Sequence, residues 1–132
     1  MNQIKVKESA IELPTTKFLN EFSREIYEQT YKFNEEDINL THLRVAKDLA
    51  SIEKDKIYWT QQFLKVLENF NFVPGGRITS NAGTGLKGTT YINCFVDGFM
   101  GEDQDSMEGI LDALRRQALI LKSEGGYGFC AD

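Results

Sequence analysis

The sequence predicts an α/β protein in which a helical N-terminal region leads into a strand-helix-strand unit. Three observations carry this. Apolar residues recur at helical spacing from Phe18 to Phe70. Composition changes at Pro74-Gly75-Gly76, after which Thr, Gly and β-branched residues dominate and charge almost disappears. A well-capped helical pattern then separates two short apolar runs. The expected domains are residues 1–72, helical, and 73–132, the α/β part.

The first helical pattern follows Pro14 and Thr15, with Phe18, Phe22, Ile26 and Phe33 on its apolar stripe. After a polar break, "LTHLRVAKDLASIE" aligns Leu43, Ala46 and Ala50. "DKIYWTQQFLKVLENF" then aligns Trp59, Phe63, Val66, Leu67 and Phe70. Proline and two glycines close this region, because proline cannot continue a helix and glycine permits a sharp turn.

"TTYINCFVDGF" reads as a buried strand. Alternation puts Tyr91, Asn93 and Phe95 on one face and Ile92, Cys94 and Val96 on the other. The next helix has Asp105 and Ser106 as N-caps, with Glu108 at capping-box spacing from Asp105. Met107, Ile110, Leu111, Leu114, Ala118 and Leu121 keep helical register, Lys122 suits the negative end of the dipole, and Gly125 supplies a left-handed stop. "YGFCAD" opens a second buried strand. Such a unit continues into others, since its sheet needs both faces covered, so the chain reads as the front of something larger.

Composition excludes several functions. With 132 residues, 41% hydrophobic and 27% charged, the chain is ordinary globular material. A net charge of -5 with scattered basic residues argues against a nucleic-acid binder. No apolar run is long enough to span a bilayer. Two cysteines, Cys94 and Cys130, suit neither a zinc cage nor a disulfide framework, so no metal site and a reduced, cytoplasmic setting are expected. His42 has no second ligand or acid nearby and reads as a surface or capping histidine.

Gly83, Gly85 and Gly88 spell G-x-G-x-x-G. A dinucleotide fingerprint follows a strand and opens into a helix, whereas these glycines lead into "TTYINCF", so the spacing reads as coincidence. "GLKGTT" is no P-loop either, because Lys87 precedes its glycine.

"FVPGGRITSNAGT", "INCFV", "DSMEGI" and "LKSEGGYGF", in that order, resemble the N-terminal part of the catalytic chain of ribonucleotide reductases. "PGGRI" and the asparagine before the cysteine look most like the adenosylcobalamin-dependent branch. The resemblance runs from about Phe72 to Asp132, and the preceding helices fit the family's helical region more loosely.

It implies a ten-stranded α/β barrel, of which this chain carries the first strand-helix-strand unit. Cys94 would be the catalytic residue, one of two cysteines that reduce the ribose by forming a disulfide. Thr84, Asn93 and Gly126 match substrate-binding positions, and Asp105, Ser106 and Met107 match positions that contact a deoxynucleotide effector. For Asp105 and Ser106, helix capping is the alternative. Helix 105–124 would pair with its copy in a homodimer. Cys130 falls outside the reducing pair and reads as a packed strand residue.

The implied partners are a ribonucleotide substrate, the C-terminal part of the reductase and a thioredoxin-like reductant, with adenosylcobalamin as cofactor. The second reducing cysteine and the radical-forming cysteine find no match here, so the chain is expected to be inactive alone, as a fragment or a split subunit, a viral source included. The rival reading is a non-catalytic nucleotide-binding or oligomerisation module.

Overall fold

A computed structural model describes residues 11–35, 37–97 and 106–129. The chain divides into two units, Met1–Gly85 and Leu86–Asp132.

In the first unit the chain enters extended. Thr16 is held there, its amide donating to Asn39 Oδ1 at 2.8 Å and its hydroxyl accepting from the Asn69 amide at 3.0 Å. Helix α1 (Glu21–Thr30) therefore starts later than the stripe beginning at Phe18 suggests. Its N-cap is Asn20, whose side chain accepts from the Ser23 amide. Phe18 instead stacks its ring near Tyr27 and Phe70, at 5.3 and 5.7 Å between centroids.

Helix α2 (Ile38–Leu49) is capped by Asp37 and buries Ile38, Thr41, His42, Val45 and Ala46. Buried polar groups need partners, and Thr41 finds one in the Tyr27 hydroxyl at 2.6 Å. His42 is a correction to the sequence reading: it is 6% exposed, not a surface residue, and lies edge-on to Phe70. Helix α3 (Lys56–Leu67) packs on α2 through Thr60, Leu64 and Leu67, while Trp59 and Val66 of the expected face stay exposed. Thr60 tolerates burial because its hydroxyl donates to the Lys56 carbonyl, leaving no donor orphaned.

Beyond Pro74 and Gly75 stands a helix that the proline-glycine punctuation hid. Helix α4 (Gly76–Asn81) packs against α2, adding Ile78 and Ala82 to a core of Val45, Leu49 and Leu67. The Arg44 guanidinium ties its end down. NH2 donates to the Thr79 carbonyl at 3.0 Å, NH1 reaches the Ala82 carbonyl, and Nε pairs with Glu35, both side chains being about nine-tenths buried.

In the second unit, strand β1 (Cys94–Asp97), helix α5 (Met107–Lys122) and strand β2 (Gly126–Phe129) form a right-sized crossover, and β1 pairs with β2 in parallel. The strand-helix-strand order matches the expectation. Its details do not. The strand starts only at Cys94, and Tyr91, Ile92 and Val96 are exposed, so "TTYINCFVDGF" is not a buried strand. The reason is that the two-strand sheet is covered on one face alone. Ser106 caps α5 through the Gly109 amide; Asp105, and with it the proposed capping box, lies outside the described residues, as does Cys130. The left-handed residue after the helix is Glu124 (φ 67°), not Gly125. Gly125 is small for another reason: a Cβ there would stand 2.6 Å from the Phe95 ring.

Candidate functional site

The predicted residues fall into both units. Thr84 belongs to the first, in the turn after α4. Its hydroxyl donates to the Asn81 carbonyl at 2.8 Å, so it closes the helix C-terminus. The glycines around it have positive φ, as turn residues do: 72° at Gly83, 72° at Gly85 and 81° at Gly88. No helix opens after them, and what Gly83 approaches is Arg44.

In the second unit, three of the four residues expected to bind substrate come together. Cys94 opposes Gly126 in the strand register, and the Gly126 amide donates to the Asn93 carbonyl at 2.8 Å. The Cys94 Sγ stands 3.2 Å from the point a Cβ would occupy on Gly126. Glycine at 126 thus leaves space for the thiol.

Alternation explains which way that thiol looks. Phe95 and Asp97 are half-buried toward α5, while Cys94 and Val96 lie on the exposed face. On the same face Gly128 has nothing within 4 Å of where its Cβ would be. The thiol therefore sits on a bare strip of backbone, open to a ligand and free of any disulfide.

The covered face holds a polar cluster absent from the sequence reading. Asp97 accepts from the Tyr127 hydroxyl and from Arg116 Nε, the latter at 2.8 Å, and Arg116 also pairs with Asp112 one turn earlier. The hydrogen bond from Tyr127, then that from Arg116, holds the Asp97 carboxyl below the usual range. The same bond raises Tyr127 above its ordinary value. Only the opposite charges of Asp97 and Arg116 signalled this in sequence, and their nineteen-residue separation hid the pairing.

Of the effector positions, Ser106 spends its side chain on the α5 cap and Met107 is 71% exposed. A cavity of about 620 Å³ lies in the first unit among Phe18, Phe22, Tyr27, His42 and Phe70, and none of Thr84, Asn93, Cys94 or Gly126 lines it. Among the described residues no group of three His, Cys, Asp or Glu side chains could hold a metal ion, and no helix is long and apolar enough to cross a membrane.

Comparison with known proteins places the helical unit. Residues 17–87 match the family described as "Ribonucleotide reductase, all-alpha domain". The chain belongs to the ribonucleotide reductase family. The match spans α1 to α4 and the glycine turn, so α4 belongs with the reductase helices that precede it. The chain is also 29% identical over 86 residues to the ribonucleoside-diphosphate reductase subunit alpha of Chlamydia muridarum (strain MoPn / Nigg). That alignment covers 65% of this chain and 8% of the relative, so the chain spans less than a tenth of that protein's length. No solved structure matches it.

Proposed function

We propose that this chain is the N-terminal portion of a ribonucleotide reductase and supplies Cys94 as one thiol of the pair that reduces the ribose. One observation carries the reading: an exposed thiol at the head of a parallel strand, facing a surface kept bare by Gly126 and Gly128. In this reading the strands are the first of the ten-stranded barrel, and the helical part runs through α4.

Reduction of a ribonucleotide to a deoxyribonucleotide takes two electrons. Cys94 and a second cysteine each lose a proton and together give up an electron pair as they join in a disulfide; one proton leaves with the ribose hydroxyl as water, and the other, with the electron pair, makes the C–H bond that replaces the broken C–O bond. An external dithiol of thioredoxin type then reopens the disulfide by exchange. The second cysteine belongs to the remaining polypeptide, so the chain alone does not turn over. Asn93 and Gly126 hold the substrate beside the thiol, Thr84 is a substrate-binding position by resemblance alone, and Asp105, Ser106 and Met107 meet the deoxynucleotide effector. Adenosylcobalamin is the radical source that the "PGGRI" and Asn-Cys resemblance implies. By the same resemblance its site lies mostly outside this chain, and no step here passes through it.

The test is reconstitution. The chain is combined with the polypeptide that completes the barrel, and deoxynucleotide formation is assayed for the native protein and for Cys94→Ser. The expected result is activity only in the mixture, abolished by the substitution while assembly persists. Full activity with serine at position 94 would overturn the role of this thiol.

A second reading, an oligomerisation module, is favoured by α5. Met107, Leu111, Leu114 and Leu121 are all more than half exposed along one helix, an apolar stripe that a homodimer would cover.

A further inference from the structure

We infer that Asp97 is a positioning residue, fixing the β1–β2 register that sets the Cys94 thiol opposite Gly126. Four residue pairs make the sheet, and β2 reads Gly-Tyr-Gly-Phe. Glycine-rich strands specify register weakly, because they offer few side chains whose displacement would cost burial. At the N-terminal end Phe95 packs over Gly125, and the Gly126 amide bonds the Asn93 carbonyl. At the other end the register needs a second anchor. Asp97 provides it by joining all three elements: it sits on β1, accepts from Tyr127 of β2, and accepts from Arg116 of α5. Arg116 is itself held by Asp112, so the carboxylate meets a preset guanidinium.

A slip of two residues would keep each side chain on its face while carrying Cys94 opposite Gly128. The thiol would still be exposed, yet displaced along the strand by the length of a residue pair, about 6–7 Å. Its consequence for reduction rests on the reductase reading. The register effect does not, and is measured without any assay of turnover.

The experiment uses the full chain with Cys130→Ser, carrying either Gly126→Cys or Gly128→Cys as a register reporter, each with Asp97 or with Asp97→Asn. Disulfide formation with Cys94 is followed under mild oxidation by gel shift and mass spectrometry, with helix content checked by circular dichroism. With Asp97 in place, the 126 reporter is expected to cross-link readily and the 128 reporter slowly. With Asp97→Asn, cross-linking at 126 is expected to slow about tenfold, the scale of a lost charged hydrogen bond, while cross-linking at 128 accelerates. An unchanged rate at 126 overturns the inference. So does a parallel fall at both positions, which would report loss of structure and not a shifted register. Loss of turnover in Cys94→Ser bears on the reductase reading alone, so the two ideas fail separately.

Discussion

The Cγ of Arg44 lies 2.9 Å from the point where a Cβ would stand on Gly83, and the Arg44 carbonyl oxygen lies 3.1 Å from it. Since Gly83 also has a φ of 72°, both space and backbone conformation demand glycine there. Gly83→Ala is expected to cost about 2–3 kcal/mol, adding steric displacement to left-handed strain. Gly88→Ala, at φ 81° with open space around it, is expected to cost only about 1 kcal/mol. Urea unfolding of the two variants, followed by circular dichroism, checks the contrast.

Arg44 and Glu35 form a buried ion pair, and Arg44 also serves the Thr79 and Ala82 carbonyls. Arg44→Met strands a buried carboxylate and two acceptors, so a loss of about 3–5 kcal/mol is expected. The double variant Arg44→Met/Glu35→Gln is expected to recover part of it, since no unpaired charge remains. Burial alone would raise the Glu35 pKa, but the hydrogen bonds from Arg44 and backbone amides bring it below its ordinary 4.5. The pair's stabilisation is therefore complete above pH 4.5 and fades as the pH falls through the lower folded value. An acid titration in which native protein and the double variant lose stability in step would contradict this.

Burial lowers the pKa of His42 below 6.5, and its Nδ1 has no hydrogen-bond partner among the described residues. The unfolded chain then takes up the proton first. Stability is full above pH 6.5 and declines as the pH drops from there toward the folded pKa. His42→Leu removes the titrating group and an unsatisfied polar atom together, so it is expected to flatten the decline and to be neutral or stabilising by about 1 kcal/mol at pH 7.5. Melting temperatures between pH 5 and 8 measure both effects.

The apolar stripe of α5 gives a solution test. Leu114 is 54% exposed and stands mid-helix, facing away from the sheet. Sedimentation velocity is expected to show concentration-dependent dimers of the native chain, and monomers for Leu114→Asp with helix content unchanged. Dimers persisting in Leu114→Asp would remove α5 from the interface.

Local sequence signals served where short-range physics decides. Ala46 and Ala50 on their buried stripe, the N-cap at Ser106, and the order strand, helix, strand were all legible, since periodicity and capping act over a few residues. The four blocks from Phe72 onward pointed to a reductase, and the family match found on residues 17–87 agrees from the other side of the chain. Legibility failed where a distant partner intervened. Thr16 is held extended by Asn39 and Asn69, so α1 begins late. Docking on α2 buries Thr60, Leu64 and Leu67 of α3, which leaves Trp59 and Val66 exposed.

By itself, then, the sequence determined three of the described helices, α1 to α3, and placed a cysteine in a strand. Only tertiary structure decided that α4 exists, because six residues with a single large apolar side chain acquire helical stability from Arg44 and the core around Val45. Tertiary structure also decided that His42 is inside, and that Cys94 looks onto glycine. Strand alternation offers two faces and leaves them equivalent; α5, packing on the Phe95 and Asp97 side, makes them different.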